Sequence, residues 1–208
     1  MFSLIIPSQL KHIASILIVF GAILMSCKQE TDYYTLPAYS ESNALQAVIE
    51  IPSGTNHKFE YNKATNSFDL DQKNGKDRVI EYLPYLGNYG FIPSTLSDPD
   101  QGGDGDALDI LVLSESLRTG TVTSVVPLGL LKLVDNGELD YKIIANISNE
   151  EQQVIKASNF EEFSTKYPNI KKIIELWFLN YNPDDPSVIE GWGDEKEAIS
   201  TIELNLLK

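Results

Sequence analysis

Short runs of alternating apolar and polar residues fill the middle of the chain, and helical spacing appears only in its last quarter. Ala44 to Ile51 (ALQAVIEI) predicts a strand, ended by Pro52 and the turn Ser53-Gly54. Lys58-Phe59-Glu60-Tyr61 alternates charge and ring, which puts Lys58 and Glu60 on one strand face. Phe68–Asp71 and Arg78–Glu81 read as two more strands, split by a hairpin turn at Asn74-Gly75. Pro84 to Pro93 (PYLGNYGFIP) reads as a loop rich in rings and glycine. Leu108–Leu113 predicts a largely buried strand, and Thr121–Leu133 gives one or two more, Val122–Val126 and Gly129–Leu133. A turn at Asp135–Glu138 leads to a return strand, Tyr141–Asn146.

Helices are expected at Phe160–Tyr167 behind a cap at Ser158-Asn159, at Lys171–Tyr181, and at Asp194–Leu207, which lines up Ala198, Ile199, Ile202 and Leu206. Many short strands followed by terminal helices predict a mainly β fold with α (α+β), a small barrel with helices packed outside.

The start of the chain obeys different rules. Ile13 to Met25 is an unbroken apolar stretch, the length of a signal-peptide core and short of what spans a bilayer comfortably. Lys11 supplies its positive flank, and Leu24-Met25-Ser26-Cys27 resembles the bacterial lipobox, in which the cysteine is lipidated and becomes residue one. Residues 1–26 are therefore expected to be a lipoprotein signal, and residues 27–42 a lipidated Cys27 with a flexible, polar tether. Residues 43–208 make the folded domain. The expected location is outside the cytoplasm, anchored to a bacterial membrane on its periplasmic or cell-surface side. Cys27 is the single cysteine, so the mature fold must stand on its core without disulfides.

Charge narrows the chemistry. Lys and Arg number 16 against 30 Asp and Glu, a net of −14, which repels nucleic acid and anionic membrane surfaces. Surplus carboxylates are usually solvated surface, but they also suit hard cations, which take oxygen ligands. Asp104, Asp106 and Asp109 crowd into a run of glycines directly before an apolar strand. By composition that run fits an Asp/Gly turn as well as a metal site. A calcium loop matches poorly: Asp109 stands where the last ligand should be Glu, and strands flank it. A second acidic pair, Asp135 and Asp140, precedes Lys142 across a turn. If the two groups converge, carboxylates edged by Lys58, Arg78 and Lys142 would hold divalent cations and, with them, a polyanion. His12 and His57 lie in the signal and in a turn, and support no zinc site.

These residues, in order, resemble the soluble (family I) inorganic pyrophosphatases. Asp104-Gly105-Asp106-Ala107-Leu108-Asp109 is similar to the signature D-G-D-P-x-D. Ile49–Pro52, Lys58–Glu60, Arg78, Tyr85 and Asn88–Gly90 precede it; Gly129–Lys132, Asp135–Lys142, Tyr181 and Glu190–Trp192 follow, a likeness from Val48 to Leu206. The resemblance implies an OB-like five-stranded barrel with flanking C-terminal helices in a catalytic domain, 43–208. It implies magnesium-dependent hydrolysis of pyrophosphate to two orthophosphates by a homo-oligomer. It assigns Asp104, Asp109, Asp140, Asp135 and Glu60 to several Mg2+ ions, and Asp106 to the role of general base for the attacking water. Lys58, Arg78, Tyr89, Lys142 and Tyr181 would hold phosphate, with Arg78, Tyr89 and Lys142 also serving catalysis, while Glu50 and Tyr85 would support the site through hydrogen bonds.

Three positions depart from the family pattern: Ala107 replaces proline, Asn136 replaces an acid, and Asn182 replaces a phosphate-gripping lysine. The last departure keeps a second reading open, a non-catalytic lipoprotein that binds phosphate or metal on the same fold.

Overall fold

The computed structural model describes residues 31–183 and 187–207. The expected signal, residues 1–26, and Cys27 lie outside the described residues. Among the described residues, no helix is long and apolar enough to cross a membrane.

Five strands carry the fold: β1 (Leu45–Ile51), β6 (Asn88–Phe91), β7 (Asp109–Leu113), β8 (Val122–Asp135) and β10 (Lys142–Ile147). β1 pairs with β6, β6 with β7, β7 in parallel with β10, and β10 with β8. The first residues of β8 then pair back onto β1, so the hydrogen bonding runs in a ring. This is the mainly β architecture with helices that the pattern predicts, in the OB-like arrangement that the family resemblance implies. The runs DILVL and KIIANI bury both faces: Ile110 and Ile143 face one apolar cluster, Leu111 and Ile144 the other. Two helices, α1 (Phe160–Lys166) and α2 (Pro168–Asn180), pack Phe163, Ile174, Trp177 and Phe178 onto one cluster. A third, α3 (Glu195–Leu204), packs Ala198 and Ile202 onto the other.

Smaller strands complete it. β2 (Phe59–Asn62) pairs with β3 (Ser67–Leu70), and β4 (Gln72–Lys73) with β5 (Lys76–Asp77) around Asn74-Gly75. β9 (Glu138–Leu139) and β11 (Ser187–Gly193) pair with β8.

Several local expectations are corrected. Pro84–Pro93 is not all loop, because Asn88–Phe91 forms the fully buried β6. Gly90 hid it: a Cβ there would lie 1.9 Å from the Val48 carbonyl oxygen, so β1 and β6 approach closely only through a residue that weakens strand signals. The stretch Thr121–Leu133, expected as one or two strands, falls in one 14-residue strand, Val122–Asp135, with a register shift opposite Ile144 and Ala145 that accommodates Pro127. Arg78–Glu81 is no strand; it touches the His57 segment at a single bridge, His57 to Val79. β11 was not anticipated and interrupts the terminal helices. Residues 32–42, read as tether, pack on the domain: Ala38 is buried, and Ser94 donates from its amide and hydroxyl to the carbonyls of Tyr34 and Leu36.

Candidate active site

Strand register assembles the acidic side. In the parallel β7–β10 pair, Asp109 lies directly beside Lys142, and Asp140 precedes Lys142 by two residues. The Lys142 ammonium, buried in the protein, donates to both Asp109 and Asp140. Burial alone would pull this amine down, but Asp109 and Asp140 outweigh it and push it up, so it stays charged. Tyr89, on β6, donates its hydroxyl to Asp109 Oδ2 at 2.5 Å, and burial holds the phenol neutral well above its ordinary range.

Upstream, the loop is knotted by its own backbone. Asp104 Oδ1 accepts from the Asp106 amide at 3.0 Å, the Gly105 amide donates to the Ser97 carbonyl and the Ser97 amide to the Asp106 carbonyl, which fastens the turn, with Gly105 at φ +87°. The hairpin between β8 and β9 turns through Asn136 and Gly137 at φ 49° and 89°, both left-handed, as a two-residue hairpin requires. That backbone suits asparagine, so the residue at 136 fits its turn. Asp135 accepts from the Ser187 hydroxyl.

The cationic side is built on shorter pieces. Lys58 Nζ lies 2.5 Å from Glu60 and 3.8 Å from Asp71, and Arg78 binds Asp71 at 3.1 Å. Tyr181 lies flat on Trp177, with ring centres 4.7 Å apart. Glu50, at the end of β1, accepts from the Tyr61 amide at 2.7 Å. Tyr85, expected to support the site by hydrogen bonding, lays its ring 4.8 Å from Trp177 and 5.3 Å from Tyr89.

All thirteen site residues expected in the domain line one cavity of about 340 Å³. Asn136, the departure from the family acid, lines it too, as do Tyr34, Phe91 and Glu138, which the sequence did not single out for the site. Asn182 follows Tyr181 in the chain but is not among the lining residues. Asp71, which pairs with both Lys58 and Arg78, was also missed, because only the folded chain brings it to them.

The cavity is short of positive charge. Burial pushes the carboxyls of Asp106 and Asp140 up, Asp140 to about 6 despite Lys142, and Glu50 to about 8. Oxygen ligands in excess of their cations fit hard divalent ions. Among the described residues, no three carboxylates close on a single point by themselves. Carboxylates facing cations and phenols across one cavity are chemically suited to a divalent cation together with a small polyanion.

Comparison with known proteins gives the family. The profile of the inorganic pyrophosphatases matches residues 47–206. An inorganic pyrophosphatase of Neisseria meningitidis is 33% identical over 170 residues, covering 80% of this chain and 89% of its own. One from Candida glabrata is 33% identical over 174 residues, 76% of this chain and 60% of its own, so the chain spans about three fifths of that fungal relative. The crystal structure of the Thermus thermophilus inorganic pyrophosphatase superposes with a TM-score of 0.68 at 27% identity, over 83% of this chain and 95% of that one. The chain belongs to the inorganic pyrophosphatase family.

Proposed function

We propose that this protein hydrolyses inorganic pyrophosphate to two orthophosphates with Mg2+, as an exported, lipid-anchored enzyme. The observation that carries the reading is the convergence of the thirteen expected residues on one cavity, acids facing cations and phenols. Asp104, Asp109, Asp140, Asp135 and Glu60 are the residues that would hold Mg2+. When bound, such ions polarise phosphoryl oxygens and make a nearby water more acidic.

The remaining work falls to the chain. Asp106 takes the proton of the attacking water; its partial burial raises its proton affinity toward what a base needs. Lys142, Arg78 and Lys58 neutralise phosphate oxygens, and Tyr89 and Tyr181 orient them. Phosphoryl transfer asks for little beyond such positioning and charge. Residues 1–26 as signal, Cys27 as lipid attachment, a periplasmic or cell-surface location and a homo-oligomeric state belong to the same proposal. The apolar stretch before Leu24-Met25-Ser26-Cys27 supports the anchor.

The test is phosphate release from pyrophosphate by the chain from Lys28 onward, with magnesium and with a chelator. Release that needs magnesium supports the reading, and binding of pyrophosphate without release overturns it in favour of the non-catalytic lipoprotein. For the anchor, Cys27→Ser should abolish labelling by a fatty-acid probe in cells, and unchanged labelling refutes it.

A further inference from the structure

The segment before β1 lies outside the span that matches the family profile, residues 47–206, yet it supplies part of the cavity wall. Tyr33–Thr35 forms one 3-10 turn, capped when the Tyr34 amide donates to Asp32. The Tyr33 amide donates to the Tyr61 hydroxyl at 3.1 Å, and that hydroxyl donates to Asn66 at 2.7 Å. These bonds set Tyr34 flat on Phe91, ring centres 4.5 Å apart and planes 17° apart. Tyr34 also meets Tyr61 at 5.3 Å, and the Lys63 ammonium sits 4.0 Å above its ring.

What this cluster holds is specific. Tyr61 and Phe91 share a small apolar core with Val48 and Ala107, and Tyr34 packs against it. Ala107 directly follows Asp106 and is buried in this core, while Leu108 beside it is buried in another. Without a large side chain of its own, Ala107 is seated by the rings around it. Backbone hydrogen bonds to Ser97 fix one edge of this loop and the rings seat the other, so removing the ring wall frees the Ala107 side.

We propose that Tyr34 is a positioning residue for Asp106: the strap before β1 lays a ring against the Ala107 core and holds the 104–107 loop where its carboxylate works. The inference rests on the role given to Asp106 above. The ring does the work and the hydroxyl does not, because the loop is reached by packing.

The experiment compares Tyr34→Leu and Tyr34→Phe with Asp106→Asn in the chain from Lys28 onward, each checked for folding by thermal melting. Tyr34→Leu should lower kcat by roughly 10- to 100-fold, the scale of a displaced catalytic group, while KM stays within about twofold. Hydrogen exchange of the 104–109 amides should quicken in that variant, with Ile110–Leu113 of β7 unchanged. Tyr34→Phe should match the wild type in both. Unchanged kcat and exchange in folded Tyr34→Leu, or a change in KM alone, overturns the proposal. Loss of activity in Tyr34→Phe equal to that in Tyr34→Leu overturns the ring as its basis. Should Asp106→Asn stay fully active, the base assignment fails by itself, and the exchange measurement still decides whether Tyr34 orders the loop.

Discussion

Asp109 and Lys142 stand on strands whose register is held by hydrogen bonds to neighbours on both sides, whereas Lys58 and Arg78 stand on a short hairpin and the segment after it. β2 and β3 pair only with each other among the described strands, and Arg78 is tied back through Asp71 and the Lys58 amide. The side proposed to hold metal and the general base is thus framed by the core. The side proposed to grip phosphate is hung on pieces that can adjust without disturbing the ring. Tyr89 bonds Asp109 on the acidic side, and Tyr85 packs on Tyr89 and Trp177 beside it.

Substitutions on the two sides should therefore fail differently. Asp106→Asn removes the proposed proton acceptor and should cut kcat by about 10²- to 10⁴-fold, with KM little changed. Steady-state phosphate release measures it, and full activity in a folded Asp106→Asn protein would break the acidic side's assigned role.

Next in size is an effect on stability. Lys142→Gln leaves Asp109 and Asp140 facing each other in a half-buried site with no cation between them. Breaking a buried pair costs about 3–5 kcal/mol. Urea unfolding in the presence of a chelator should show a loss of that order. Magnesium should recover part of it, by about 2.7 kcal/mol at a hundredfold excess over its dissociation constant, because an ion bound only to the folded state stabilises it. A Lys142→Gln protein as stable as the wild type in chelator would show that the acidic side does not need its lysine.

On the adjustable side the loss should be smaller and should fall on binding. Arg78→Ala removes a charged hydrogen-bond donor, which on this scale is worth about 1.5–3 kcal/mol, roughly a 10- to 150-fold rise in KM. Asp71 then keeps Lys58 as a partner, so the fold should hold. A fall in kcat as deep as that of Asp106→Asn would erase the contrast between the two sides.

The contrast also explains what could be read before the fold was known. The acidic side was legible because its residues crowd into Asp104–Asp109 and Asp135–Lys142, next to apolar runs long enough to be strands. The strands β1, β7 and β10 and the capped helices α1 and α3 follow from local pattern, down to Asn159 and Asp194 accepting at the helix starts. β6 was not legible, since Asn88, Tyr89 and Gly90 carry a turn-like composition whose burial is imposed by β1 and β7. Asp71 and Tyr34 were missed for another reason. Their roles depend on which distant segment they meet, and no spacing within the chain encodes that.

Glu50 tests the boundary between the sides most gently. It ends β1 at 8% exposure, accepts from the Tyr61 amide, and is influenced by Asp109 and Glu60 from the acids and by Lys58 from the cations. Burial pushes its carboxyl from 4.5 up to about 8, while the Tyr61 amide pulls it down. Between those values the folded protein keeps a proton that the unfolded chain has released. Stability from this residue is therefore full below 4.5 and declines as pH rises through about 8. Glu50→Gln keeps an oxygen for the Tyr61 amide and removes the titration. In chelator, its unfolding free energy should fall less steeply with pH than that of the wild type, by up to about 1.4 kcal/mol per pH unit. Denaturant titrations across that window measure the difference in slope. Parallel slopes for the two proteins would mean that Glu50 is already ionised, with the cations of the adjustable side, Lys58 first, offsetting its burial.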